Sequence, residues 1–299
     1  MPGRTPTSLD DKRRALLARR LRERRDGGPA TVAASDPGVV WLAEGTGTPL
    51  FLLPAVGGTA GPYVPLVAAL PAGRPVCALE SPGLHGAPVA DSLDTLAHGY
   101  RDIVVDIWPD GPYLLAGWSV GALLAQQIAL LLRERRKRVS LLAMFDGVLA
   151  TPADEPPDDT TLLEWFADDL TATLGAASVD LRDLRGLPER DRTEALIDEL
   201  EAAGVVPAGI RAELRTRVTV FAANIRAYLA WRPSAVDVPI TLLPARETDP
   251  AEADRWLPFA PTVSRHPVSG DHHTMFHAPN LAEVAAVLSR CLADADPPT

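Results

Sequence analysis

Three residues spread along the chain have types that could work together: Ser119, Asp146 and His272. Ser119 lies in Gly117-Trp118-Ser119-Val120-Gly121, a G-x-S-x-G pattern. Pro112-Tyr113-Leu114-Leu115 before it reads as a buried strand, and residues 122–132 after it read as an apolar helix. A turn that lifts a serine hydroxyl clear of a sheet needs strained backbone. Side chains at 117 or 121 would collide with the neighbouring strand or helix. The same turn aims the N–H of Val120 toward a developing oxyanion. A serine hydroxyl is a poor nucleophile until a base removes its proton, and the usual base is a histidine held in one tautomer by a carboxylate. His272 stands in Ser269-Gly270-Asp271-His272-His273-Thr274-Met275, a loop between the last expected strand and the last helix. Asp146 ends the apolar run Val139–Phe145, at the edge of a parallel sheet where such sites sit. The blander alternatives are a chance G-x-S-x-G in a Gly- and Ala-rich chain and a turn-capping Asp146.

The elements that must position these groups are legible in outline. Val39-Val40-Trp41-Leu42 suits an edge strand, and the unbroken apolar run Leu50–Leu53 suits an inner parallel strand. That strand empties into Pro54-Ala55-Val56-Gly57-Gly58, where backbone N–H groups can approach a ligand closely. The N–H of Val56 is the expected second oxyanion donor, with Ala55 next, although an ordinary strand-to-helix turn would look similar. Residues 64–70 read as a helix and 75–79 as a strand. A breaker-rich loop, 80–86, follows, with His85 given no catalytic work. Residues 92–108 are amphipathic with Ser92 as N-cap. The basic run 133–138 reads as a solvated helix end.

From about 151 to 233 the pattern changes. A Pro-rich acidic hinge at 152–159 leads into three helical stretches, 162–174, 189–203 and 210–228, with no inner strand among them. This predicts a helical insertion lying over the sheet as a lid. Strands at 240–243 and 262–266 and a helix at 281–292 complete the chain. Strands alternating with helices imply an α/β fold with a mostly parallel sheet covered on both faces. The order Ser119, Asp146, His272 is the nucleophile–acid–histidine order of α/β-hydrolases. The expected division is 1–37 as a basic amphipathic helix and linker, and 38–299 as the α/β-hydrolase domain with its lid.

Composition narrows the function classes. The chain has 299 residues, 46% hydrophobic and 23% charged, enough for one large core. Residues 1–25 hold nine Lys/Arg and three Asp/Glu, so a net +6 segment precedes a body that must carry −16 of the overall −10. An acidic body does not promise nucleic-acid binding. Two cysteines, Cys77 and Cys291, and no apolar leader suit a reducing, cytoplasmic setting. Only Lys12 and Lys137 are lysines, the arginine excess expected of a GC-rich bacterial genome. The uncharged stretch 111–132 is too rich in glycine and glutamine to be a membrane span. His273 and His277 adjoin His272, but no carboxylate spacing nearby completes a metal site, so none is expected.

Four motifs carry a family resemblance. Gly117-Trp118-Ser119-Val120-Gly121, Leu79-Glu80-Ser81-Pro82-Gly83-Leu84, Phe145-Asp146-Gly147 and Gly270-Asp271-His272-His273-Thr274-Met275 resemble those of the thioesterase domains that end nonribosomal peptide and polyketide assembly lines. The similarity spans residues 39–293. It implies Ser119 as nucleophile, His272 as base, Asp146 as orienting acid, and oxyanion donors at Val56 and Val120. It implies no cofactor of the chain's own, because the substrate arrives on a carrier-protein phosphopantetheine arm, and it implies that carrier as the partner.

Two departures stand out. Many relatives carry a histidine before the Gly-rich loop, where this chain has Leu53-Pro54-Ala55-Val56-Gly57. In stand-alone relatives the acid follows a later strand, which makes Asp249 the alternative to Asp146. The resemblance fits either a discrete enzyme, docking its basic helix on an acidic carrier, or an excised domain. An acyltransferase or esterase of the same fold and a non-catalytic scaffold are the remaining readings. Hydrolysis and cyclisation both fit.

Overall fold

The computed structural model describes residues 37–151 and 156–295. Within them β1 (Val39–Ala43), β2 (Leu50–Leu53), β3 (Val76–Leu79), β4 (Tyr113–Trp118), β5 (Val139–Phe145), β6 (Ile240–Leu243) and β7 (Val263–Arg265) form one sheet. Its order is β1-β3-β2-β4-β5-β6-β7. β1 runs antiparallel to β3, and the other neighbours are parallel. β2, β3 and β4 are buried at every position, the consequence of apolar side chains on both faces of the strand.

Alternation along these strands divides the core in two. Phe51, Leu53, Tyr113 and Leu115 join one apolar cluster, while Leu50, Leu52, Leu114 and Trp118 join another across the sheet. The helices sort accordingly. α1 (Val64–Ala69) and α8 (Leu281–Ala295) cover the second face through Leu66, Val284 and Leu288. α2 (Leu93–Ile107) and α3 (Val120–Glu134) cover the first through Leu96, Tyr100, Leu123 and Ile128. Ser92 caps α2 as expected, its hydroxyl accepting from the Thr95 N–H at 3.1 Å. α3 is apolar almost all round because it lies between the sheet and α2.

Between β5 and β6 come α4 (Asp159–Leu174), α5 (Glu189–Ala202) and α6 (Arg211–Ala230), which add Phe166, Leu200, Leu214 and Phe221 to the first core. These are the three expected lid helices. A short helix not legible in the sequence, α7 (Pro250–Asp254), follows β6. The basic segment over 9–25 and positions 152–155 of the hinge lie outside the described residues. No helix among the described residues is long and apolar enough to cross a membrane.

Strand order fixes where the site falls. From β2 the chain steps to β3 on one side, then returns past β2 to β4 and continues outward to β7. Loops after β2 and β4 therefore part at the switch point, which opens a crevice at the strands' C-terminal ends. β4 runs to Trp118, three residues beyond the expected strand, and α3 starts at Val120, leaving Ser119 alone to make the turn. The backbones are pressed together there. A Cβ on Gly117 would overlap the Gly121 carbonyl, and one on Gly121 would overlap the Leu53 carbonyl.

Gly117→Ala is expected to destabilise the protein by about 1–3 kcal/mol or more, because backbone cannot step aside. Gly99→Ala, on an exposed α2 position with open space around it, is expected to stabilise by about 0.5–1 kcal/mol. Urea unfolding of both variants checks the contrast.

Candidate active site

Ser119 adopts φ 56°, ψ −125°, a region that residues with a Cβ seldom occupy. Its N–H continues the sheet ladder, donating to the Phe145 carbonyl at 3.0 Å. Asp146 follows Phe145 with φ 44° and donates its own N–H to the Leu243 carbonyl at 3.0 Å. Ser119 and Asp146 are thus set one residue past the ends of neighbouring strands by the pairing of Trp118 with Phe145.

Asp146 is 2% exposed, so its carboxylate needs partners, and it has three. Oδ1 accepts from the Ala245 N–H at 2.9 Å. Oδ2 accepts from the Thr248 hydroxyl at 3.0 Å and meets His272 Nδ1 at 2.7 Å. Ala245 and Thr248 clamp the carboxylate from the loop after β6, leaving His272 as the ring it orients. Asp249, the alternative acid, is not brought to His272. It is exposed, and its side chain accepts from the Ala251 N–H as the cap of α7. The resemblance to stand-alone relatives makes Asp249 the alternative acid, and in the fold its side chain caps a helix.

His272 is held from two other directions. Its carbonyl accepts from Trp118 Nε1 at 3.0 Å, and its ring lies 5.3 Å from the Trp118 ring. The Asp271 carboxylate collects the N–H groups of His273 and Thr274 at 2.9 and 2.8 Å, which shapes the turn around His272. His273 packs edge-on against His272 at 5.0 Å, and burial holds its pKa below the usual imidazole value.

A cavity of about 280 Å³ is lined by Ser119, Asp146 and His272 together with Val56, Val120 and Thr248. Ile225 and Tyr228 of α6 and Val148 close its lid side. The Val120 N–H opens α3 and has no carbonyl of a preceding turn to bond. Val56 sits in the loop after β2, and Ala55, the other choice there, lies outside the lining. Tyr63 joins the two loops: its hydroxyl donates to the Leu53 carbonyl at 2.5 Å and accepts from the Trp118 N–H at 2.8 Å. No local sequence pattern marks Thr248, Tyr63 or Trp118 as contributors. Their roles depend on hydrogen bonds across the fold.

Around this centre lie further charged groups. His85 is buried beside Glu80, Nε2 to Oε2 3.2 Å. Asp169 of α4 approaches the Gly-rich loop, its Oδ2 3.6 Å from where a Cβ of Gly57 would stand. Burial pushes the Asp169 carboxyl up to about 6, against the downward pull of His272 and Arg217. Among the described residues no three His, Cys, Asp or Glu side chains converge to hold a metal ion.

Known proteins resemble this chain in sequence and in fold. A family model described as a thioesterase domain matches residues 48–292. The nonribosomal peptide synthetase btyA of Aspergillus terreus is 27% identical over 93% of this chain and 31% of its own length. Chondramide synthase cmdD of Chondromyces crocatus is 30% identical over 84% of this chain and 7% of its own. This chain therefore spans about a third or less of the length of these relatives. Among solved structures, the four-domain nonribosomal peptide synthetase holo-AB3403 superposes with a TM-score of 0.81 at 28% identity, over 92% of this chain and 21% of that one. The Vlm2 thioesterase domain superposes with a TM-score of 0.63 at 25% identity, over 84% of this chain and 96% of that one.

The raised Asp169 pKa sets a pH dependence. Its folded value lies above the unfolded one, so its contribution to stability is fully present below about pH 4 and is lost as pH rises through about 6. Asp169→Asn removes that loss. Thermal midpoints at pH 4.5 and 7.5 are expected to show the variant gaining on the wild type at the higher pH, and a constant offset would contradict it.

Proposed function

The chain belongs to the thioesterase-domain family, and on that premise we propose that it releases an acyl or peptidyl chain from the phosphopantetheine thioester of a carrier protein through an acyl-Ser119 intermediate. The observation that carries the reading is one cavity that joins Ser119 on its strained turn to the bonded pair His272 and Asp146, with Val56 and Val120 on its wall.

In this mechanism Ser119 Oγ attacks the thioester carbonyl carbon while His272 takes the hydroxyl proton. Asp146 keeps the proton of His272 on Nδ1 and steadies the imidazolium that forms. The carbonyl oxygen becomes an oxyanion facing the N–H groups of Val56 and Val120. Collapse of the tetrahedral adduct breaks the C–S bond, and His272 returns its proton to the departing pantetheine sulfur. Water, or a hydroxyl or amine on the bound chain, then attacks the acyl-serine carbonyl with His272 again as base, and collapse of that adduct breaks the C–Oγ bond while His272 returns the proton to Ser119 Oγ. The first gives a free acid and the second a ring. Every group needed is a side chain or backbone of this protein, and the phosphopantetheine arm enters with the substrate.

Two kinds of support bear on the partner and substrate. The relatives are nonribosomal peptide and polyketide synthases, of which this chain resembles one part. The lid side of the cavity is apolar apart from the Tyr228 hydroxyl, which donates to the Val148 carbonyl at 3.2 Å. Such a wall accepts a hydrophobic acyl chain and keeps bulk water from the ester.

Incubation with a panel of acyl-pantetheine thioesters, followed by intact-protein mass spectrometry, tests the reading. Wild type is expected to gain the acyl mass or to turn over, and Ser119→Ala to do neither. Asp146→Asn is expected to lower turnover by about 10⁴-fold while leaving the fold intact, through the wrong His272 tautomer. Acylation that persists in Ser119→Ala would overturn the assignment, and the released product distinguishes hydrolysis from cyclisation.

A further inference from the structure

The two oxyanion donors are not held alike. Val120 is the first residue of α3, so its N–H direction is built into a long buried helix. Val56 lies in a glycine-rich loop with no strand or helix of its own. The peptide group joining Ala55 and Val56 is planar, so its N–H points opposite its carbonyl. That carbonyl, of Ala55, accepts from the Gly58 N–H at 2.8 Å in a tight local turn. The next carbonyl, of Val56, has a partner from elsewhere. Asn224 of α6 donates Nδ2 to it at 2.8 Å and reaches the Ser81 hydroxyl at 3.3 Å. Ser81 is tied to the same loop, donating its N–H to the Gly58 carbonyl at 2.8 Å. Asn224 and Ser81 are buried, at 6% and 3% exposure, so water does not substitute easily for these bonds.

We propose that Asn224 is a positioning residue of the lid: by holding the Val56 carbonyl it fixes the peptide after Val56 while the Ala55–Gly58 turn fixes the one before, so that the Val56 N–H meets the thioester oxygen, and the oxyanion pocket is complete only while α6 is seated on this loop. This rests on the acyl-serine reading above. The geometry gives the lid a second task besides walling the cavity. Oxyanion donors act at 2.7–3.1 Å from the developing charge, and their worth falls steeply with misplacement. A loop released from Asn224 keeps the Ala55–Gly58 turn and the Ser81 N–H bond to the Gly58 carbonyl, but loses the one hydrogen bond given for the Val56 carbonyl.

A purely structural role for Asn224 would lower stability and affect all ligands alike, so the test compares two ligands. The first is an acyl-pantetheine analogue with a trifluoromethyl ketone in place of the thioester, which adds Ser119 Oγ to give a tetrahedral oxyanion. The second is the corresponding thioether, which stays in the ground state. Asn224→Leu keeps the volume without a donor, and Asn224→Asp keeps the shape while replacing the donor with an acceptor. Each variant is expected to bind the trifluoromethyl ketone about 10–100-fold more weakly and to lose kcat by a similar factor. KM and thioether affinity should stay within about twofold. Equal weakening of both ligands, or unchanged binding of the ketone, overturns the proposal. Failure of both variants to fold also overturns it, because Asn224 would then be a folding residue. Wild type and Ser119→Ala run alongside. If the ketone binds those two equally, the acyl-serine reading itself has failed, an outcome separate from the failure of Asn224.

Discussion

Everything at the active site depends on one residue held in a costly conformation. A non-glycine residue in the backbone region of Ser119 carries about 1–3 kcal/mol of strain, which persists only where its surroundings leave no alternative. Here they leave none. The N–H of Ser119 is spent on the Phe145 carbonyl, its own carbonyl accepts from Ala122 at 3.0 Å, and the glycines on either side let β4, α3 and β2 come together. Strain in the turn is offset by the burial of the strand before it and the helix after it, both drawn almost wholly from core residues. The hydroxyl is exposed to the cavity because nothing around it can relax.

Beneath the turn lies a small aromatic base. Aromatic residues are only 5% of the chain, yet Tyr63, Trp118, Phe145 and Phe276 pack together with ring centroids 5.5–5.9 Å apart. Two of them also carry a polar handle used in the site, the Tyr63 hydroxyl and the Trp118 indole N–H. Rigid rings with few torsions to freeze couple three loops that are far apart in sequence. The Ser119 turn, the glycine-rich loop and the histidine loop are thereby tied to one another.

How much of this was legible in the sequence follows the range of the interactions. The strand before Ser119, the glycines beside it and the helix after it are neighbours in sequence, so the turn could be read directly. The histidine loop was legible for the same reason, since Gly270, Asp271 and Thr274 shape it locally. Asp146 is favoured over Asp249 in the sequence because Phe145-Asp146-Gly147 directly ends an inner strand, while only the resemblance to stand-alone relatives brings in Asp249. What separates them is the direction of the Thr248 hydroxyl and the Ala245 N–H, and these belong to the loop after β6, about a hundred residues beyond Asp146. Tyr63 and Asn224 were invisible for a related reason. A tyrosine after a glycine loop and an asparagine on an amphipathic helix have ordinary spacing, and their partners are set only by tertiary packing. The short helix α7 was missed because five residues give no period to detect.

β5 and β6 are partners in register although the whole helical insertion separates them, Phe145 beside Leu243. In polymer terms that insertion is a loop whose ends the sheet has already joined. Closing a longer loop costs about 0.6 kcal/mol per doubling of length. A crossover several times longer than usual therefore takes little more than one or two kcal/mol from the sheet. Evolution can lengthen, shorten or exchange the segment between these two strands while the carboxylate at the end of β5 and its clamp at the end of β6 stay in register. Register thus constrains the strands that carry Ser119 and Asp146, while the length of the segment between β5 and β6 is only weakly constrained.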